Sequence, residues 1–515
     1  MAFRLNLDLR IIIFLLIFSN LLFSCSETIY PKREMRAVWI ATVKNIDWPS
    51  RPGLSSEEQK NEFRKIISFH QLNGINAAIV QIRPAADAFY QSRLEPWSEW
   101  LTDQQGKAPD PYYDPLTFMI EECHDKGMEF HAWFNPYRAI VDIESNVTDS
   151  LHITNSLSEW FLTYGKNAYF DPGIPEVREY VTNIVADVVT RYDIDAVHFD
   201  DYFYPYKIYG EAFPDSASYK RYNPRQLDLD DWRRSNVDEI IVMLNNRIKS
   251  IKPHVKFGIS PFGVWRNQDK DPNGSATQAG VTNYDDLYAD VTKWLKNGWI
   301  DYVVPQLYWN IGFEKADYAV LIDWWEKNSY GKHLYIGHGA YKIDDSSNVE
   351  AWRDPKQLPS QLRLNKQYEH VKGSAYFSSK VLLNNPLGIT DTLRNTFYRH
   401  PALIPQMPWI DSESPNPPKH LEVVPEESGV LLKWKPSGKD EHYYLIYRFE
   451  GKGKKAQDIN NPANILSSVR APINFYLDET AKKNKQYTYI VTAVDRLHNE
   501  SKRSEVNSIK NKIRR

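Results

Sequence analysis

The eleven residues DAVHFDDYFYP, Asp195 to Pro205, decide the fold. A short run of strand formers, Ala196 to Phe199, stops on two adjacent carboxylates and opens into aromatics. Side chains alternate along a strand, so His198 and Asp200 share one face while Val197, Phe199 and Asp201 share the other. The apolar pair suits a layer between sheet and helices. Asp200 then faces inward at the end of the run, with His198 one layer below it. Asp201 faces the other way unless the chain has already turned into its loop. Capping that loop and taking part in chemistry are both open readings for it.

The same pattern recurs from Glu34 to about His400. MRAVWIAT, INAAIVQIRP, MEFHAWFNP, IDAVHFDD, VKFGISPFG, IDYVVPQLYW, HLYIGHGAY and GSAYFSS are short apolar runs, each followed by a loop and a helical stretch. Eight strands alternating with helices predict an α/β protein, a parallel (β/α)₈ TIM barrel over residues 33–400. Two of the helical patterns are EEQKNEFRKIISFHQLNG and DEIIVMLNNRIKSIKP, the second closed by Lys-Pro. A doubly wound open sheet is the alternative, but no glycine-rich phosphate turn follows the first strand.

From residue 417 to 515 the pattern changes to strands separated by turn clusters, among them GVLLKWKPSG, EHYYLIYRFEG and KQYTYIVTAVDRLHNES. This tail resembles a fibronectin type III domain, a small antiparallel sandwich, with Trp434 at its centre and Tyr487 or Tyr489 near a strand corner. It carries no catalytic constellation, so a spacer or docking role is expected, including contact with an envelope protein. Residues 401–416, within HPALIPQMPWIDSESPNPP, read as a stiff Pro-rich connector that does not pair into a sheet.

At the other end, Arg4 and Arg10 precede IIIFLLIFSNLLF, a run short for a membrane span, and LFSC ends at Cys25. Leu22 to Cys25 resembles a bacterial lipobox. Residues 1–25 are therefore expected to be a lipoprotein signal peptide with lipidated Cys25, which implies a membrane contact through a lipid anchor. The remaining cysteine, Cys123, then has no disulfide partner and sits on a helical pattern as a core residue.

Charge and composition narrow the function. The 515 residues carry Lys+Arg 63 against Asp+Glu 66, a net charge of −3 without a basic stripe, which excludes nucleic acid as a partner. Trp 16 and Tyr 32 are high counts, and such rings both fill cores and stack on sugars.

In a (β/α)₈ barrel the site lies at the carboxyl ends of the strands. Those ends carry Gln81 and Arg83, then Trp133, Asn135 and Arg138, then His198, Asp200 and Asp201. Later ends carry Ser260, Trp265 and Arg266, then Gln306, Tyr308 and Trp309, then His338 and Tyr341. Such a convergence suits a polyhydroxylated ligand. Cleavage of a glycosidic bond needs two carboxyl groups, one of them protonated. Asp200 is the candidate for the charged member. Candidates for the acid are Asp201, then Asp47 in NIDWP, then Glu95 and Glu99 in LEPWSEW, and burial or a neighbouring charge must raise the acid's pKa. The arginines either grip substrate or pair with Asp residues at the barrel mouth. No metal is expected, since His124 and His131 lack partners at usable spacing.

REMRAVWIATVKNIDWPS, HAWFNPYR, YFDPGIPEVREYV, DAVHFDDYFYP, GISPFGVWRN and DYVVPQLYW resemble the signature blocks of the glycosyl hydrolase-like 10 family. The resemblance runs through the whole barrel and implies a hydrolase of bacterial wall or related glycans, such as peptidoglycan strands stripped of their stem peptides. It also places the acidic centre at Asp200-Asp201 without naming the acid. The expectation is an envelope-anchored glycoside hydrolase that needs no cofactor, an outer-membrane lipoprotein facing the periplasm or the exterior. Arg83, Asn135, Arg138, His198, Arg266 and Gln306 would bind polar sugar groups, and Trp133, Trp265, Tyr308 and Trp309 would form stacking walls. A glycan-binding lipoprotein without turnover is the alternative. Metal-dependent deacetylation ranks behind both.

Overall fold

A computed structural model describes residues 30–144, 148–438, 440–452 and 458–511. Cys25 and the segment 1–25 lie outside the described residues. Lys32–Arg515 form one compact unit.

All eight quoted runs become barrel strands: β1 (Met35–Ile40), β2 (Ala77–Arg83), β3 (Glu129–Phe134), β4 (Ala196–Phe199), β5 (Lys256–Ile259), β6 (Tyr302–Val303), β7 (His333–His338) and β8 (Val371–Tyr376). They pair in parallel and in chain order, and β8 closes on β1. Alternation sorts their side chains. Val38, Ala132, Val197, Phe199 and Phe257 pack outward with the helices. Ala37, Trp39, Ile79, Trp133 and Tyr302 pack inside.

The main helices are α1 (Ser56–Leu72), α2 (Pro115–Asp125), α3 (Pro175–Arg191) and α4 (Leu229–Ile251). A capping box between Ser55 and Glu58 starts α1. The α4 helix begins nine residues before the pattern DEIIVMLNNRIKSIKP, because Asp228 accepts the Asp231 N–H and caps two further turns. One element has no counterpart in the sequence reading. After β3 the chain builds a three-stranded antiparallel sheet from Arg138–Ile140, Phe161–Tyr164 and Asn167–Phe170.

The tail forms β9 (Lys419–Pro425), β10 (Val430–Lys435), β11 (Tyr443–Glu450), β12 (Ile465–Arg470), β13 (Phe475–Asp478), β14 (Gln486–Val494) and β15 (Asn507–Lys510). The sheets β9-β10-β13 and β12-β11-β14-β15 make a fibronectin type III-like sandwich. Trp434 is buried in its core, 5.2 Å from the Tyr444 ring. Tyr487 occupies the strand corner, its hydroxyl accepting the Lys482 N–H at 3.2 Å.

The Pro-rich segment is not a free connector. Leu403 pairs with Arg33 as a parallel bridge, and Ile404 and Met407 are buried in the cluster that fills the barrel interior. Trp409 donates its indole N–H to Asp301 at 3.1 Å. Proline-free positions keep their amides, so a segment with prolines at intervals still bridges and plugs the amino-terminal end of the barrel. The sandwich docks at that same end. His498 binds Glu129 at 2.6 Å, Arg496 binds Asp193 at 2.6 Å, and Lys32 binds Glu500 at 2.5 Å.

Candidate active site

The carboxyl ends of the strands enclose a cavity of about 430 Å³, within the range of small-ligand sites. Asp200 and Asp201 both line it, and both are buried. The strand ends at Phe199, so the backbone has left the pleat before Asp201 and turns that side chain into the cavity. The alternation rule therefore holds through Asp200 and lapses one residue later.

Asp200 is ringed by donors. Its Oδ2 accepts from Trp133 Nε1 at 3.2 Å and from Asn135 Nδ2, and its Oδ1 accepts the Tyr202 N–H at 3.3 Å. Asn135 is held in turn by Gln81, whose Nε2 donates to Asn135 Oδ1 at 2.5 Å. Gln81 Oε1 accepts the Thr42 and Val43 amides at 3.0 and 2.9 Å, so its orientation is fixed by the turn after β1. Asp201 Oδ2 meets the Tyr206 hydroxyl, and the Gln306 side chain adds a hydrogen bond.

Burial and then the neighbouring Asp201 charge push Asp200 up to about 7, against the pull of Arg138 and its donors. Burial also raises Asp201. Two adjacent buried carboxyls titrate as a pair, and near neutral pH the pair holds one proton. Three donors around Asp200 suit a carboxylate. Asp201 is ringed by donors as well, the Tyr206 hydroxyl, the Gln306 side chain and its own backbone N–H, so hydrogen bonds favour the charged form at both residues and burial holds the shared proton against them. A raised pKa alone does not mark the site: burial pushes Asp87 up to about 7 too, yet it is bonded to Ala85 and Ser98 and does not line the cavity.

Aromatic rings wall the cavity in two connected clusters. Trp39, Tyr308, Tyr341 and Phe377 lie with ring centroids 5.9–6.4 Å apart along their contacts. Tyr202, Tyr206, Phe262 and Trp309 are linked in the same way at 5.4–6.2 Å. Arg138 reaches the cavity with its guanidinium 5.6 Å above the Tyr202 ring, and its Nε donates to the Pro84 carbonyl. Lys342 lines the opposite rim, its Nζ 2.5 Å from the Tyr308 carbonyl, and burial lowers its pKa.

Of the residues expected from the sequence, Asp200, Asp201, Gln81, Trp133, Arg138, Ser260, Gln306, Tyr308, Trp309 and Tyr341 border the cavity, while Asn135 stands behind Asp200 as its donor. Others do not. Arg83 is fully buried and forks onto Glu95 at 2.8 and 2.5 Å, so neither can meet a ligand. Its Nη1 also holds the Asn135 carbonyl, which makes Arg83 a brace for the loop that carries Asn135. Asp47 accepts from the Ala41 and Lys380 amides and the Ser378 hydroxyl, stapling the end of β1 to the turn after β8. Trp265 donates to Asp290 and stacks on Trp324, while Arg266 is held by Asp285 and Asp271, all outside the cavity. Glu99 opens a short helix, Glu99–Thr102, outside the cavity. His198 lies beneath the cavity floor, and His338 is enclosed by Gln361 and Ser374.

The cavity residues missed are Trp39, Tyr202, Tyr206, Phe262, Lys342 and Phe377, with Ala41, Val43 and Ile46 from the turn after β1. The signal was present for Trp39, which shares the inward parity of Met35 and Ala37. Phe262 and Phe377 also stand just past strand ends.

Among the described residues, His124, Asp195 and His442 bring ligating atoms within 4.8 Å of one another, at the barrel end facing the sandwich. Asp195 Oδ2 already accepts from His124 Nε2 and the Phe130 N–H, both at 2.8 Å. Arg470 and Arg496 act on the two histidines and oppose a further cation. The group reads as a buried ion pair.

A closed (β/α)₈ barrel with two adjacent buried carboxyls at its strand ends, inside an aromatic cavity, has the parts that a glycoside hydrolase uses. The profile of the family described as "Glycosyl hydrolase-like 10" matches residues 34–354. The chain is similar to "Glycosyl hydrolase YngK" of Bacillus subtilis (strain 168), 51% identical over 484 residues, covering 92% of this chain and 93% of that protein. It is similar to "Glycosyl hydrolase DigH" of Escherichia coli (strain K12), 38% identical over 376 residues, 69% of this chain and 84% of that one. The chain belongs to the glycosyl hydrolase-like 10 family. Among solved structures, the PgaB (BpsB) glycoside hydrolase domain from Bordetella bronchiseptica aligns with 71% of this chain and 99% of that domain, at 11% identity and a TM-score of 0.45. A likeness at that level adds nothing to the functional reading.

Proposed function

We propose that this glycoside hydrolase cleaves bacterial wall glycans, peptidoglycan strands stripped of stem peptides, from the cell envelope. Asp201 gives its proton to the glycosidic oxygen as the bond to the anomeric carbon breaks. The Asp200 carboxylate meets the positive charge that develops on that carbon, water adds to the carbon in place of the departed sugar, and the proton that water loses returns to Asp201. Arg138 and Lys342 supply cationic contacts for the lactyl carboxylate that stem-peptide removal exposes on alternate sugars. The two aromatic clusters stack on the sugar faces. Lipidation at Cys25 would tether the enzyme to the outer membrane, facing the periplasm or the exterior, with the sandwich free on its outer surface for an envelope partner.

The observation that carries this reading is the pairing of Asp200 and Asp201 inside an aromatic cavity that also holds two cations. The test is incubation of the chain from Glu27 onward with stripped glycan strands, counting new reducing ends. Asp200→Asn should lower turnover by about 10³-fold or more while strands still bind. Turnover by Asp200→Asn equal to that of the unaltered chain would remove Asp200 from the reaction, and no turnover by either would remove the substrate.

A further inference from the structure

A column of hydrogen bonds runs down the barrel axis from the cavity floor to the sandwich. Ser260 Oγ lies 2.9 Å from His198 Nε2, and Trp39 Nε1 points at the same nitrogen from 3.4 Å. His198 Nδ1 is 3.0 Å from the Tyr302 hydroxyl, which is 2.9 Å from His131 Nδ1. His131 Nε2 is 2.8 Å from Glu129 Oε2. At the bottom, Glu129 Oε1 takes Lys256 Nζ and His498 Nε2, and His498 belongs to the docked sandwich. Each of these residues is buried.

The direction of every proton in the column follows from its ends. Glu129 is a carboxylate: burial would raise it, but Lys256, His498 and the His131 hydrogen bond hold it well below the usual range. A carboxylate only accepts, so His131 Nε2 donates. As a singly protonated ring, His131 accepts at Nδ1 from Tyr302, whose oxygen accepts from His198 Nδ1. That leaves His198 Nε2 as a lone pair. At the top, the Trp39 indole N–H can only donate, and it finds that lone pair. Burial keeps His198 uncharged. The Trp39 terminus demands this tautomer, a singly protonated His131 delivers it from the other end, and the Ser260 hydroxyl, which also reaches the Phe199 carbonyl at 3.3 Å, can turn to fit it.

We propose that Glu129, His131, Tyr302 and His198 form a positioning relay that locks His198 as the Nδ1–H tautomer and so fixes Trp39 and Ser260 as the floor against which the sugar seats. None of the four relay residues borders the cavity, whereas Trp39 and Ser260 do, so the relay acts through them. The sandwich is part of the device, because His498 helps set the charge that polarises the column. Because Glu129 only accepts, His498 donates from Nε2, and its Nδ1 lies 2.9 Å from the Tyr443 hydroxyl. The inference rests on this cavity being the sugar site, as proposed above.

The test uses the full chain with ¹⁵N-labelled histidine and long-range ¹H–¹⁵N correlation, the His198 signals being those lost in His198→Gln. The unaltered protein should show His198 protonated at Nδ1 and bare at Nε2. In Tyr302→Phe, which deletes one oxygen far from the substrate, the signature should become a mixture of tautomers. The same variant should raise KM for the glycan about tenfold, with a smaller change in kcat. A wild-type His198 protonated at Nε2, or a folded Tyr302→Phe with unchanged KM and unchanged tautomer, overturns the relay. If Tyr302→Phe does not fold, the wild-type spectrum still decides. If stripped glycans are not cleaved at all, the substrate assignment fails, while the His198 tautomer still upholds or overturns the relay by itself.

Discussion

Asp200 and Asp201 show how two neighbours in the chain are brought to share one proton by their surroundings. Donors converge on Asp200 from Trp133, Asn135 and Tyr202, and on Asp201 from the Tyr206 hydroxyl and the Gln306 side chain, while burial works against the charge of both. The pair must keep one proton to work, and Asp200 is pushed up to about 7. Activity on glycan strands should therefore fall along an alkaline limb with an apparent pKa near 7, read from kcat/KM against pH. The same displacement affects stability. An unfolded Asp releases its proton near pH ~3.9, whereas the folded pair retains one to about pH 7. Between those values the folded state binds more protons, so its stability falls as pH rises. Asp200→Asn removes that loss. Its Tm relative to the unaltered chain should climb from pH 4 to pH 8, by the equivalent of up to roughly 4 kcal/mol. A pH-independent difference in Tm would mean the pair is not perturbed by burial.

Strands are where the sequence was most readable. A buried parallel strand must be apolar on both faces, so eight apolar runs at helical spacing leave little choice of architecture. The insert after β3 escaped notice because its strands are three or four residues long and half-buried, with no continuous apolar run. One position inside the barrel is set by size alone. Gly258 on β5 pairs with Tyr302 on β6, and a Cβ there would lie 2.0 Å from Tyr302 Cζ. Gly258→Ala must push the ring out of the axial column or spread the strands, costing about 1–3 kcal/mol. Calorimetry should show a Tm several degrees lower, and glycan KM should rise as in Tyr302→Phe. Wild-type Tm and KM together would show that the interior has slack.

At the scale of the molecule, barrel and sandwich share buried charges as well as surface. Glu129 sits at the amino-terminal end of β3 and accepts a hydrogen bond from His498, across 369 residues of chain. Tandem domains move relative to one another by default, but a shared buried carboxylate penalises separation, because parting would strand a desolvated charge. The chain should unfold in a single calorimetric transition. His498→Ala leaves Glu129 Oε1 to Lys256 alone and should lower that transition by the equivalent of ~1–3 kcal/mol. Two well-separated transitions in the unaltered protein would refute this account of the docking.

Periodicity and residue type, read alone, determined the barrel, the sandwich and the arrival of Asp200 at the mouth, because alternation and burial are local rules. They did not determine which strand-end groups reach the cavity. Arg83 and Glu95 satisfy each other, Asp47 is consumed by three backbone and hydroxyl donors, and Asp201 turns inward only because the strand stops one residue early. Those outcomes depend on partners brought from distant parts of the chain, as does the plugging of the barrel by a Pro-rich stretch that reads as a spacer. A polar side chain's availability is what remains after tertiary contacts have used it, and only the folded chain settles that remainder.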